Sequence, residues 1–301
     1  MFQVASHSSA FPHPHQHNSR SRYREEPPSP LTLPRTLTRP PFTPLPATAL
    51  SSLSPDLAGL PPDFVRAGLR AGAAAMQAGI ASLAPSHLPT SIPKDRLPPA
   101  LQVPLRAVQA TRELSLPTHV LALSPAPQKG ARDEPPAAAT LFPVHALVLA
   151  AHCAKLPALP PAAAPQQQRP AALALPLLPL ALPSPPAFAI LHAWMYTGRL
   201  DAALASLLPL PPPFLATLAT SPQDAHQALG TTRASPQALH LLAAHLYTAA
   251  GGNLSSLMSH AGHVRDLWAD MVALGVYDPT LWEAVDVCWE VVLAALNLAA
   301  Q

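Results

Sequence analysis

Cysteine is almost missing from this 301-residue chain: Cys153 and Cys288 are the only two. Both stand among apolar neighbours on stretches read as helix. That excludes a disulfide-stapled scaffold and points to reduced, buried thiols in an intracellular protein. Charge is as scarce. Asp, Glu, Lys and Arg make up 11% of the residues and the net charge is +2, too weak a field for the closely spaced cations that phosphate contacts need. Nucleic acid is therefore not expected as a direct ligand. The basic cluster Arg20, Arg22 and Arg24 is answered at once by Glu25 and Glu26 and reads as a solvated tail. No apolar run is long enough for a bilayer. The most apolar window, Ala171 to Leu182, is broken by Pro176 and Pro179 and falls short of the ~20 continuous residues required. No charged-then-apolar leader opens the chain, so no secretory signal is expected.

Catalytic signatures are missing too. There is no Gly-x-Ser-x-Gly elbow, phosphate loop or dinucleotide fingerprint, and no pair of carboxylates stands in a recognisable acid/base arrangement. Histidine is the exception, with 14 residues. His13, His15 and His17 alternate with Pro14 and Gln16, but no Cys or carboxylate companion completes a tetrahedral site. His145, His152 and Cys153 fall close together, and His145 is read as part of the scaffold. His260 and His263 form a His-x-x-His pair on a predicted helix, a spacing that turns both rings toward one metal. Only Ala261 and Gly262 lie between them, with no acidic residue of the zincin kind. Two readings result. A small metal-dependent hydrolase would use His260, His263 and a distant carboxylate; a non-enzymatic protein would leave these rings solvent-facing or singly hydrogen-bonded. The second is preferred, with no cofactor and no metal.

What the chain has in plenty is proline, 42 residues of it. Proline removes a backbone donor and stops helices and central strands, so a proline-dense segment cannot recover its ordering entropy by burial. On that ground residues 1–62 read as a disordered tail and 63–100 as a marginal helix and linker. In the latter, Asp63 caps a helix to Leu83 through Val65, Leu69, Met76, Ile80 and Leu83. Residues 101–208 read as an α+β domain. It has a short helix at Leu105 to Leu114, a strand at His119 to Leu123, a polar excursion at Pro125 to Pro136 and a strand at Thr140 to Val144. An insertion loop follows at Pro160 to Pro170. Residues 209–234 read as a Pro-rich connection with an extended break at Pro209 to Pro213, and 235–301 as a helical bundle.

The α+β stretch is organised around residues 142–200. Phe142-Pro143-Val144-His145 reads as a strand end and tight turn, feeding the apolar helix Ala146 to Ala151. Phe188, Leu191, Trp194 and Met195 then form a helical stripe, with Tyr196 at its end and Gly198 where a left-handed residue is needed. This order resembles a BTB/POZ domain, in which a Pro-x-His turn precedes a Leu/Ala helix and a later helix ends in Tyr-Thr-Gly. The departures are Thr118-His119-Val120, which lacks the family's strand Asp, and Cys153-Ala154-Lys155-Leu156 in place of Ser-Pro-x-Phe. The resemblance implies a scaffold role for His145 and a homodimer or a ubiquitin-ligase adaptor as further expectations.

The C-terminal helices have clear punctuation: Ser235-Pro236 to Gly251, Asn253 to Gly275, and Asp278-Pro279 onward. Val264-Arg265-Asp266-Leu267-Trp268, the run Asp270 to Asp278, and Leu281-Trp282 through Trp289 to Leu293 resemble the fungal clampless protein family. That resemblance implies a nuclear, non-enzymatic regulator of basidiomycete sexual development, acting in clamp-cell formation and dikaryon maintenance downstream of mating-type homeodomain factors. Its partners would be other proteins, transcriptional regulators among them. Candidate interaction or motif residues are His145, Phe188, Trp194, Tyr196, Gly198, Trp268, Trp282 and Trp289. The tryptophans read first as core, with one of them partly exposed to a partner. Ser29, Thr43 and Ser54 each precede proline in the tail and are candidates for proline-directed phosphorylation.

Overall fold

The computed structural model describes residues 2–4, 31–106, 114–126, 138–160 and 171–301. The histidine and arginine clusters at 13–24, Ser29, and most of the expected helix at 105–114 lie outside these residues, as do most of the 125–136 excursion and the insertion at 161–170.

Strand β1 (Phe2–Val4) pairs antiparallel with β2 (Leu31–Leu33). Helices α1 (Ala47–Ser51), α2 (Pro62–Ala71) and α3 (Ala73–Ala81) follow. The helix expected from Asp63 to Leu83 is thus two, broken at Gly72 (φ −89°, ψ 2°), and Pro61 rather than Asp63 is its N-cap. Pro62 suits the first helical position because the missing N–H has no partner there anyway. In α3, Gly79 is dictated by a close backbone approach: a Cβ at Gly79 would lie 1.7 Å from the Ser115 carbonyl oxygen.

Strands β3 (Ser91–Pro93), β4 (Ala100–Pro104), β5 (His119–Pro125), β6 (Ala138–Val144) and β7 (Ala172–Leu182) form a mixed sheet in the order β3-β6-β5-β7-β4. Only the β5–β7 pairing is parallel. The two-residue period assigns the faces. Val120, Ala122, Ala139 and Leu141 enter a small core with Val103 and Leu175, whereas Leu121, Leu123 and Val144 enter the main core. Strand β7 runs through the prolines that suggested a break. Its first half pairs with β4 and its second with β5. Where a strand has one partner, alternate N–H groups point away from it, and proline there costs no ladder bond.

Helix α4 (Ala146–His152) connects β6 toward β7, and α5 (Pro185–Thr197) ends at Gly198 with φ 62°. Next come α6 (Leu200–Leu207), α7 (Pro212–Leu218) and α8 (Pro222–Ala234). The Pro-rich connection expected over 209–234, with its extended break at 209–213, is therefore mostly helix. Its prolines, Pro211, Pro212 and Pro222, sit at cap and first-turn positions, where they start helices instead of breaking them.

Helices α9 (Pro236–Ala249), α10 (Leu254–Leu274) and α11 (Pro279–Ala299) match the expected punctuation. Asp278 accepts from the Thr280 and Leu281 N–H groups, both at 3.0 Å, and Gly275 ends α10 at φ 67°. Helix α11 is apolar almost all round and packs against α6, α8, α9 and α10. Its acidic residues Glu283, Asp286 and Glu290 are confined to one stripe, spaced three and four apart. The α+β class expected from the sequence holds, with a helical C-terminus. The main core runs without interruption from β5 and α4 through α5 into α10 and α11.

Candidate functional site

Leu33 to Pro46 forms a strap across the bundle. Five prolines (34, 40, 41, 44 and 46) keep it out of helices. They also restrict the unfolded chain, so laying the strap down loses less entropy than an ordinary loop would. The strap is held at four points. The Pro34 carbonyl accepts from the Trp289 indole N–H at 3.1 Å. Leu37 is buried at 8% exposure. The Arg39 guanidinium donates to Glu283 at 2.9 Å and also to Asp286. The Phe42 ring meets Tyr277 at 4.5 Å between centroids, tilted by 60°. Residues 1–62 are therefore not one free tail: the described second part is docked, and Leu50 of α1 is buried as well. The signal missed was amphipathic, Leu33, Leu37 and Arg39 spaced to meet an oily helix with an acid stripe.

Arg233 joins the same acids from α8, donating to Glu290 at 2.9 Å and to Glu283 at 3.3 Å. Burial alone would raise the Glu283 carboxyl, but the hydrogen bonds from Arg39 and Arg233 outweigh it and hold it below the usual range.

Beyond Arg39 the strap forms one wall of a cleft of about 450 Å³. Phe42, Thr43, Pro44 and Leu45 face Pro62, Asp63 and Arg66 of α2, His152 at the end of α4, and Gly275, Tyr277 and Pro279 between α10 and α11. Arg66 is fixed in place: its Nε donates to the Ala151 carbonyl at 2.7 Å and its Nη1 to Asp63 at 2.9 Å. His152 is 2% exposed with its ring against Trp194, and its Nε2 has no partner among the described residues. Burial first, then the charges of Arg66 and Arg70, push this imidazole down to about 3, so it stays neutral. Two aromatics of the cleft lining face solvent, Phe42 at 60% exposure and Tyr277 at 38%; Phe64 of α2, at 67%, is exposed but is not part of that lining.

Most of the residues singled out from sequence lie inside. His145, the N-cap of α4, is 5% exposed. The Tyr196 hydroxyl accepts from the His145 backbone N–H at 3.0 Å and lies 2.9 Å from its Nδ1. Nε2 lies 3.1 Å from the Ser115 carbonyl. A carbonyl can only accept, so Nε2 carries the proton and the tyrosine donates to Nδ1. Burial lowers His145 and raises Tyr196, which keeps both neutral. Phe188 packs edge-on to Phe142 at 5.1 Å. Trp194, Trp282 and Trp289 are buried, and the Trp282 indole donates to the Val276 carbonyl at 3.0 Å. A Cβ at Gly198 would meet the Arg70 side chain at 2.7 Å. Trp268 alone of the candidate tryptophans is partly exposed, and its indole N–H has no partner among the described residues. Cys153 and Cys288 are buried, and burial pushes each thiol up to about 12.

His260 and His263 stand on α10 with ring centroids 6.2 Å apart. Among the described residues no group of three or more His, Cys, Asp or Glu is placed to hold a metal, so this pair has no third ligand there. No helix of the described residues is long and apolar enough to cross a membrane.

Residues 40–183 match the model of the Clampless protein 1 N-terminal domain, and residues 201–301 that of the Clampless protein 1 C-terminal domain. The chain belongs to the clampless protein family. No curated protein and no solved structure matches it. The two clampless stretches meet across α5, and the cleft draws on both: its strap, α2 and α4 walls come from the N-terminal stretch, and Gly275, Tyr277 and Pro279 from the C-terminal one.

Proposed function

We propose that this clampless protein is a non-enzymatic, nuclear adaptor that binds transcriptional regulators in mating-type-dependent development of a basidiomycete, in clamp-cell formation and dikaryon maintenance. Membership of the clampless family fits a developmental regulator. The observation that carries the binding reading is the aromatic rim of the cleft. Phe42 and Tyr277 stay in water where most of the other described aromatics, Phe64 excepted, are largely withdrawn from it, and exposed aromatics paired at a concavity supply binding energy when a partner covers them. Burial of the two removes on the order of 200 Å² of apolar surface, ~5 kcal/mol at 25 cal/mol per Å² before ordering costs.

Residues 101–208 are proposed to be BTB/POZ-like. What supports this is the order hairpin, helix, parallel strand, helix ending in Tyr196-Thr197-Gly198.

The test is affinity purification of the full chain from mating-competent fungal cells, with mass-spectrometric identification of transcriptional regulators, beside a Phe42→Ser/Tyr277→Ser variant. The wild type is expected to bring down regulators and to support clamp cells, and the folded double variant to do neither. Regulators absent from the wild-type purification, or retained by the double variant, would overturn the reading.

A further inference from the structure

Seven hydroxyl residues of this chain precede a proline: Ser29, Thr43, Ser54, Ser124, Ser184, Ser221 and Ser235. The structure sorts them. Ser221 and Ser235 are occupied as helix caps, accepting from the Asp224 and Ala238 N–H groups, each at 3.2 Å. Ser124 and Ser184 are buried, at 4% and 9% exposure. Ser54 is half-buried and caps the turn Pro55–Leu57. Ser29 lies outside the described residues. Thr43 differs from all of these. It is exposed, its backbone belongs to no helix or strand, and it sits between Pro40-Pro41 and Pro44, where the following proline biases it toward extended backbone. That is the conformation in which a kinase active site takes a peptide.

Thr43 also faces something. It shares the cleft with Arg66, whose guanidinium is already oriented by the bond from Nε to the Ala151 carbonyl. The Nη1 of Arg66, a side chain 13% exposed, is engaged by Asp63, which is 91% exposed, and an ion pair with one end so open to solvent is weak. A phosphate carries up to about two negative charges and three acceptor oxygens, and it pairs with arginine more strongly than a solvated carboxylate does.

We propose that Thr43 is a phosphorylation site for a proline-directed kinase, and that its phosphate binds Arg66 and pins the strap across the cleft. In the step itself, the Thr43 Oγ1 attacks the terminal phosphorus of a nucleoside triphosphate. The bond to the bridging oxygen breaks, the nucleoside diphosphate leaves, and the hydroxyl proton passes to the kinase's base. The modified strap then spans the cleft from Arg39 on the acid stripe of α11 to Arg66 on α2. Its effect on a partner rests on the function proposed above; the site and the clamp do not.

The experiment needs no partner, which separates the two. The full chain is incubated with a proline-directed Ser/Thr kinase and ATP, and phosphate is located by peptide mass spectrometry. Hydrogen exchange is followed at the strap amides of residues 35–39, 42, 43 and 45. Phosphate is expected on Thr43, with strap exchange slowed about fivefold, the effect of one added charge-assisted pair. In Arg66→Gln, compared with its own unmodified form, phosphate is still expected on Thr43 but without the slowing. Phosphate absent from Thr43 overturns the site. Exchange unchanged or faster in the modified wild type, or slowed equally in modified Arg66→Gln, overturns the clamp.

Discussion

Asp270 is a buried carboxylate whose protonation ties stability to pH. It is fully buried on α10; Oδ1 accepts from the Ser184 N–H at 2.9 Å, where α5 begins, and Oδ2 has no partner among the described residues. Burial pushes the carboxyl from 3.8 up to about 7; the Ser184 N–H pulls it down and the Asp266 charge adds to the rise. In the unfolded chain the group ionises near 3.8. Over the interval up to about 7 the unfolded state has therefore released a proton that the folded state keeps. The stabilisation is complete below the lower value and is lost as pH rises through the upper one. At ~1.4 kcal/mol per pH unit the interval bounds the loss at ~4 kcal/mol. Of that bound about 3 kcal/mol falls above about pH 5; polar relaxation, and the positive end of α5, which favours the anion, bring the expected figure there to about 2 kcal/mol.

Asp270→Asn keeps the shape and the acceptor for Ser184 but does not titrate. Urea midpoints of wild type and variant would be compared at about pH 5 and about pH 8, converted through a common slope. His145, His152 and His192, all lowered chiefly by burial, titrate with the opposite sense, but they are common to both proteins and cancel in the difference. Wild-type stability relative to the variant is expected to fall by about 2 kcal/mol between these two conditions. Parallel pH profiles, separated by a constant offset, would refute the assignment of a protonated Asp270.

Arg39→Ala removes the ion pairs to Glu283 and Asp286, which are partly exposed and worth ~1 kcal/mol together; limited proteolysis should cut the strap faster while the melting temperature barely moves. Because Glu283 is held below its usual range, the wild-type strap should likewise loosen as pH falls through that lowered value, and the variant should show no such dependence. Gly79→Ala drives a methyl into the Ser115 carbonyl and should cost about 2–3 kcal/mol in thermal unfolding, whereas Gly68→Ala on the open side of α2, where a Cβ meets nothing within 4 Å, should be neutral or stabilising. His152 is buried neutral with its value lowered to about 3, so its contribution is complete above about 6.5 and is lost on acidification; His152→Phe should flatten acid unfolding by ~3 kcal/mol.

Periodicity and caps were the legible part of this fold, because they are local. Asp278-Pro279, Ser235-Pro236 and Asn253 mark helix starts with their own backbone bonds, and Gly198 and Gly275 mark ends through positive φ. The strands at His119 and Thr140 were legible for the same reason. Proline was misjudged because its effect depends on what lies beside it. At Pro212 and Pro222 it begins helices, and at Pro176 and Pro179 it lies in β7, whose two halves take different partners. A single sequence does not display which N–H groups a tertiary neighbour will ask for.

The site was the least legible part, and the reason is physical. Aromatics at helical spacing next to Ala and Leu mark what a chain buries, so Phe188, Trp194, Tyr196, Trp282 and Trp289 stood out and proved to be core. The rim proposed here to bind has the opposite logic: its residues stay exposed because nothing in their own chain covers them. Phe42 belongs to no stripe, and Tyr277 sits in the turn after Gly275. The two meet because the strap is anchored to α11, by Arg39 to Asp286 across 247 positions and by the Pro34 carbonyl to Trp289. The cleft therefore depends on that long-range ion pair and on the Trp289–Pro34 bond. Loss of the strap would remove Phe42 from Tyr277 and open the cleft without unfolding the bundle, a separation of binding from stability available because the strap is docked on the core and not woven into it.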